Sequence, residues 1–523
     1  MRIQEIPCVG SNIHCPLRKV CIVGAGISGL RAAELLIAAA GFKVTILEAR
    51  DRVGGRIHQN SRFGPQLDLG ASWIHGTQGN PIVHLAEKAK SRTIACGAVD
   101  SICDSSGAWL GSSSARRLYE EVWEILEMAM DKSRKETASL PDSAKMMDWF
   151  RREVTRRRPQ AKQPDVYESL MMQVVEMWGA FMGSECETQS LKNLWLDAGL
   201  EGDNLFMAST FKDIVAGISF LLADKVALRL GCEVTGIANR SIGGVDVETA
   251  DGFRGVFDDV VVTAPLGWLK RNGKVFSPPL ASTVSKAISS LGYGNLDKVF
   301  IKFPEPFWTA EVSKTNSCHE CTAEENRNIA FPIESLFLCP DYVADTNPSK
   351  WRQEIISFSG LPEPFSQPVI MFFAYGQWGR HITGLVRGMA QDSDEYYRIL
   401  DDNFRPYYSK LPHYDPGIHK CKPLEFLSTD WQGDKFAGFG SFTNLPIGSG
   451  DGSLHFEALR EGMGESRGIW FAGEHTSPPG GLGTVTGAYW SGEEVAKKIV
   501  GQHQLRTSQQ ESTVKQPFVN HQA

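Results

Sequence analysis

Apolar positions change period several times along the chain, and the changes divide it. Lys19 to Val23 is a short continuous apolar run of β type; a glycine cluster follows, then an Ala/Leu-rich helical pattern from Ile27 to about Ala40, then a second apolar run from Phe42 to Leu47. Strand, glycine turn, helix, strand is the order of a βαβ unit. From Ser91 to about Leu200 alternation disappears and charged helical stretches such as LYEEVWEILEMAMDKSRKE take over, which predicts a mostly helical module. β character returns between Ile218 and Val262, with a DG turn in VDVETADG, and again at Lys298 to Phe303 and Val369 to Ala374. From Ile469 onward the order is strand, glycine loop and a last helix. Residues 1–18 and 501–523 are polar and aperiodic, and are expected to be flexible ends.

Composition narrows the class. The 523 residues are 42% hydrophobic, enough for large cores, and 54 Lys+Arg against 61 Asp+Glu give a net charge of −7. That balance offers no nucleic-acid surface. The arginine-rich run Arg151, Arg152, Arg156, Arg157 and Arg158 is expected to be a solvated helix face. Eleven cysteines scattered from Cys8 to Cys421 are an odd number at low density, which suits reduced thiols better than a disulfide framework. Cys318 and Cys321 have C-x-x-C spacing with no second pair, so they read as a loop and no metal site is expected. The N-terminus lacks an apolar signal core and no run reaches about 18 apolar residues. The expectation is a soluble intracellular protein, cytoplasmic, without a membrane anchor. Glycine, at 51 residues, is the entry in the composition that asks for a location.

The first location is Gly24-Ala25-Gly26-Ile27-Ser28-Gly29, a G-x-G-x-x-G placed after a strand and opening a helix. The first glycine makes the turn, the second lets backbone approach a pyrophosphate, and the third lets the helix pack on the strand. The free N–H groups of the helix N-terminus then face the anion. Glu48 follows the second strand, where a carboxylate accepts the hydroxyls of an adenosine ribose. Beyond it comes Glu48-Ala49-Arg50-Asp51-Arg52-Val53-Gly54-Gly55-Arg56. Here the chain resembles the flavin-containing amine oxidase family, whose hallmark is E-x-R-x-x-x-G-G-R. The resemblance implies noncovalent FAD, with Arg50 and Arg56 near the ribose and pyrophosphate.

Further motifs extend the resemblance from Lys19 to Val500, closest to the polyamine oxidase branch. Gly70-Ala71-Ser72-Trp73-Ile74-His75-Gly76 is similar to the segment beside the flavin, with His75 as the group contacting the substrate amine. Asn295 to Phe300 resembles the strand whose lysine, Lys298, holds a water against flavin N5. Trp470 to Thr476 and Gly483 to Ala488 resemble the closing motif, in which Glu474 meets the ribityl chain and the Thr484-Val485 backbone meets the flavin; Val234 joins this cofactor set. Trp431 and Gly440 to Asn444 match the substrate side. Ser441 stands where monoamine oxidases carry the flavin-linked cysteine, and their aromatic pair is here Phe442 and Thr484, which leaves room for an extended aliphatic chain. Glu185, Glu187, Glu201 and Asp203 are candidate carboxylates for remote cationic nitrogens, Glu185 foremost.

The implied fold is α/β, with a Rossmann-type, GR2-like FAD-binding domain assembled from 19–90, 205–270 and 418–500. A substrate-binding α+β domain with a mixed sheet and helices takes 91–204 and 271–417. The implied reaction oxidises a C–N bond of spermine, spermidine or an acetylated form, with O2, to imine, aldehyde and hydrogen peroxide. Two alternatives stand beside it. One is a flavin oxidase of a specialised amine, amino acid or secondary metabolite, kept open by an unfamiliar insertion from Thr309 to Lys350. The other is a chromatin-associated demethylase-like or flavin-holding interaction protein.

Overall fold

The structure, a computed structural model, describes residues 17–97, 99, 101–309, 331–343, 347 and 349–514. Two large sheets organise it. The first has five parallel strands in the order Ile469–Phe471, Asp259–Val262, Arg18–Val23, Phe42–Leu47 and Ala227–Arg229. Apart from the exposed edge strand Ala227–Arg229, its strands are largely apolar because both faces are covered, as parallel sheets require. Val20, Ile22 and Ile46 pack on one face beneath the helices Ile27–Ala38 and Val485–Val514, through Leu30, Ala33, Leu36, Val495 and Ile499. Cys21, Val23, Leu47 and Val260 face the other way, against Val247, Leu266 and Ile288.

The second sheet has six strands, ordered Glu425–Ser428, Leu296–Lys302, Val369–Tyr375, Gln353–Ser357, Glu334–Phe337 and Ile102–Cys103. All neighbours are antiparallel except the last pair. Lys298 to Phe303 and Val369 to Ala374, read as strands from their sequence, are adjacent at its centre. The helices Ser112–Glu136, Met146–Arg157 and Pro164–Val174 form the expected helical module around Val122, Ile125, Phe150 and Met171. Most arginines of its basic run are engaged with acids on the surface: Arg156 with Glu153, Arg157 with Glu121 and Glu124, Arg158 with Asp165 and Glu168.

The structure corrects four expectations. The region from Ser91 is not strand-free: Thr93–Cys96 pairs with Asn204–Met207, and Ile102–Cys103 with Glu334–Phe337, both too short to show a period. Glu425–Ser428 pairs with Leu296–Lys302, so the segment expected to join the FAD domain at 418 starts in the other sheet. Within Thr309 to Lys350, Glu334–Phe337 is an integral strand rather than part of an insertion; Cys318 and Cys321 lie outside the described residues. The last helix runs to Val514 instead of ending near 500, held by His503 edge-on to Phe42 at 5.1 Å and by Arg506 on Glu465 at 2.6 Å. The cysteines among the described residues are free. No helix among them is long and apolar enough to cross a membrane.

Candidate active site

The two sheets and the helical module enclose a cavity of about 1150 Å³. At its parallel-sheet end the glycine motifs meet. Gly24, at φ +112°, turns the chain after the first strand, and a Cβ there would lie 2.4 Å from Thr263 Oγ1. Gly26 has no atom within 4 Å of where its Cβ would be, which leaves backbone bare towards the cavity. The Gly54 N–H donates to the Ala25 carbonyl at 2.9 Å, so the second glycine pair is clamped against the first. Glu48 is buried, its two carboxylate oxygens oriented by the Ala25 and Arg50 N–H groups at 2.7 and 2.8 Å.

Ile27, Ser28, Ala49, Arg50, Gly55, Arg56, Gly70, Ala71, Ser72, Trp73 and Val234 all line the same cavity. Gly29 does not. A Cβ there would sit 2.1 Å from the Gly24 carbonyl, so this glycine serves helix packing rather than ligand contact. Arg50 pairs with Asp434 at 2.8 Å, and Arg56 with Glu474 at 3.1 Å and with the Ser441 carbonyl. Glu474 also accepts from Thr443 N and Oγ1. Val485 opens the last helix, and Thr484 Oγ1 caps that turn by accepting from Gly487 N at 3.0 Å. A bare glycine backbone, two helix N-termini and one oriented carboxylate on one wall fit a dinucleotide, and the continuation to Glu474 and Val485 fits an extended one.

At the other sheet, the Lys298 ammonium donates to the carbonyls of Asp68 and Gly70 at 2.9 and 2.6 Å and to Ser72 Oγ at 3.0 Å. Burial pushes its pKa down to about 8, opposed by the Asp68 carboxyl, which burial pushes up to about 7. His75 lies in the cavity between Trp73, ring centroids 6.5 Å apart, and Phe181, at 5.9 Å. Burial lowers its pKa against a hydrogen bond to Asn204, which favours the neutral imidazole. Phe442, Thr484 and Trp431 line the cavity, Trp431 tied to the Leu69 carbonyl at 3.1 Å. Glu185 does not line it: its carboxylate accepts from Gln377 N at 2.6 Å and pairs with Arg380. Glu187 is bound to Arg151. Glu201 does line it.

Sequence-wide comparison then decides the family. The family model for flavin containing amine oxidoreductase matches residues 27–500. The chain belongs to this family. Among curated members, "Probable polyamine oxidase 4" of Arabidopsis thaliana is 32% identical over 298 residues, 55% of this chain and 59% of that one, so the chain spans under two thirds of it. "Polyamine oxidase 4" of Oryza sativa subsp. japonica is 27% identical over 92% of this chain and 89% of its own. The human "Peroxisomal N(1)-acetyl-spermine/spermidine oxidase" is 26% identical over 92% and 94%. A solved putrescine oxidase redesigned in its cofactor binding shares the fold at TM-score 0.65 and 17% identity, over 93% of this chain and 99% of that one. The cofactor of this family member is FAD. No covalent link is expected at Ser441, whose hydroxyl exchanges hydrogen bonds with Leu296 N and O at 2.9 and 3.0 Å.

Several cavity residues left no signal in the sequence. Tyr119 and Trp123 on one helix, and Trp178 and Phe181 on another, form an aromatic wall; Trp178 and Phe181 stack at 5.1 Å and Trp123 meets both edge-on. Their spacing reads as ordinary helix core. Glu334 and Glu354 line the cavity from the six-stranded sheet and escaped notice because only strand register places them there.

Proposed function

We propose that this FAD-dependent amine oxidase is a polyamine oxidase, oxidising a C–N bond of a linear aliphatic amine such as spermidine or spermine, with O2 consumed and hydrogen peroxide released. One observation carries the reading: the cavity that holds the cofactor cradle is also lined by His75, by Trp123, Trp178 and Phe181, and by the exposed acids Glu120, Glu127 and Glu201. On the same lining Glu124 and Asp131 are paired to Arg157 and Lys135, and Arg134 is an exposed cation. An acidic lining raises the local concentration of a cationic chain, and flat aromatic walls admit its methylenes and its charges.

When bound, FAD supplies the acceptor for the hydride leaving the carbon next to nitrogen. The chain does the rest. Glu48, Gly26, Gly55 and the start of the last helix hold and orient the dinucleotide. The reacting nitrogen must be neutral, and the buried, uncharged His75 with its aromatic neighbours makes a charged amine costly there. Phe442 supplies one aromatic side of the reacting position; the smaller Thr484 leaves the other open to a thin chain. Lys298, with Ser72, fixes the Asp68 to Gly70 backbone where it faces the cavity.

Peroxide release from spermidine, spermine, N1-acetylspermine, tryptamine and a methyl-lysine peptide tests the reading. Turnover of the linear polyamines above tryptamine and the peptide is expected; turnover of none of the polyamines by flavin-loaded protein removes it.

A further inference from the structure

Glu334 and Glu354 are two carboxylates on one cavity wall with no hydrogen bond or ion pair among the described residues. Strand register puts them side by side. Leu336 stands opposite Glu354 and Glu334 opposite Ile356, so the two acids are diagonal neighbours on one face of adjacent antiparallel strands. Continuing the register, Phe373 falls opposite Glu354, and Phe373 is itself opposite Lys298. Lys298, Phe373, Glu354 and Glu334 all line the cavity, so they share that face.

The cationic side chains nearby are engaged elsewhere. Arg352, two residues from Glu354, points to Glu176 at 3.2 Å, and Lys298 donates to Asp68, Gly70 and Ser72. The titratable groups coupled to the pair are Tyr119 from the Ser112–Glu136 helix, Cys96 from the Thr93–Cys96 strand and Tyr375 from the neighbouring strand, and burial holds all three protonated and neutral. Burial pushes the Glu334 carboxyl up to about 7, and burial with repulsion from Glu334 pushes that of Glu354 well above the usual range. Enclosed acids held towards the protonated form have no internal charge partner among the described residues, and a ligand that brings a positive charge between them favours their ionisation.

We propose that Glu334 and Glu354 are the specificity-determining site for a remote, unmodified ammonium of the substrate, selecting free polyamines over chains acylated at that end. The inference rests on the polyamine reading above and names which member of the class the cavity takes. At about 4.8 Å per strand, Glu354 and Glu334 stand roughly 10 and 14 Å across the sheet from Lys298, about the reach of an extended chain of ten or so atoms. The aromatic wall of Trp123, Trp178 and Phe181 lines the same cavity and suits methylenes and cations alike. An acetamide at the far end supplies no charge, so it gains no ion pair from the two acids.

The test uses the flavin-loaded full chain and the variants Glu334→Gln, Glu354→Gln and the double variant, with kcat/KM for spermidine and for spermidine acetylated at the nitrogen remote from the cut. Flavin content and melting temperature report folding, which glutamine, the neutral isostere, should preserve. The expected result is a preference of about ten-fold or more for the free amine in the natural protein, lowered in each single variant and reduced to about two-fold or less in the double, chiefly through KM. As a second measure on the natural protein alone, an eight-carbon diamine should inhibit at least about ten-fold more tightly than the matching monoamine. No preference in the natural protein, or a preference kept by the double variant, overturns the assignment of the two acids. Flavin that no amine bleaches overturns the amine oxidase reading itself, and this assignment with it.

Discussion

Single side chains carry the sharpest expectations. Glu48 is oriented by two backbone N–H groups and faces the cradle, so Glu48→Ala should give a folded protein that purifies colourless. A flavin spectrum checks it; full yellow colour would show that the carboxylate is dispensable. Lys298→Met strands three acceptors that the ammonium now satisfies, at a cost of about 2 to 4 kcal/mol, and should lower the melting temperature and slow flavin reoxidation while keeping FAD. Unchanged turnover and melting would mean that the match to the family lysine misleads. Glu334 gives a pH signature. Its folded pKa is raised from the usual 4.5 to about 7, so between those values the folded state keeps a proton the unfolded chain has lost, and stability falls as pH rises through that window. Other raised carboxyls such as Asp68 and Asp197 contribute in both proteins and cancel when Glu334→Gln is compared. The variant should therefore show a flatter melting temperature from about pH 4.5 to 7, and parallel curves would contradict the shift. Glu48, His75 and Lys298 were legible because each sits beside a motif. Glu334 and Glu354 were not, since an acid in a strand looks solvent-facing until its register is known, and Glu185 misled because an acid in the right module need not point inward.

At the scale of elements, the three glycines of the first motif separate by what surrounds them. A Cβ at Gly29 meets the Gly24 carbonyl at 2.1 Å, whereas one at Gly26 meets nothing within 4 Å. Gly29→Ala should therefore damage the fold itself, by about 3 kcal/mol or more, while Gly26→Ala should fold normally and bind FAD poorly. Circular dichroism melts beside flavin content distinguish the two; equal effects on both properties would remove the distinction. The βαβ unit and the central strands of the second sheet could be read from apolar runs because long, doubly buried strands cannot hide. Thr93–Cys96 and Ile102–Cys103 could not, being too short to establish a period and formed by their partners. The turns of the last helix beyond residue 500 are polar, and only the packing of His503 and Arg506 shows why they stay helical.

Two large sheets organise the described residues, the parallel one drawn from four separated parts of the chain, and the candidate cradle closes only when residues near 24, 48, 55, 234 and 485 are brought together. The glycine motifs at both ends made that interleaving legible; its exact seams were not, because strands such as Glu425–Ser428 join a sheet by pairing rather than by composition. Because the cofactor binds the folded chain at contributions from both ends, removing FAD should lower the melting temperature and restoring it at about 100 times its Kd should return about 3 kcal/mol. Thermal melts of stripped and reconstituted protein measure this, and identical melts would mean that FAD does not bind the folded chain in preference to the unfolded one. Amine oxidation is read most simply by anaerobic mixing of the purified yellow protein with spermidine. The flavin absorbance should bleach in proportion to amine added and return on admitting oxygen, with hydrogen peroxide formed; a spectrum that spermidine, spermine and their acetylated forms all leave unchanged would contradict it.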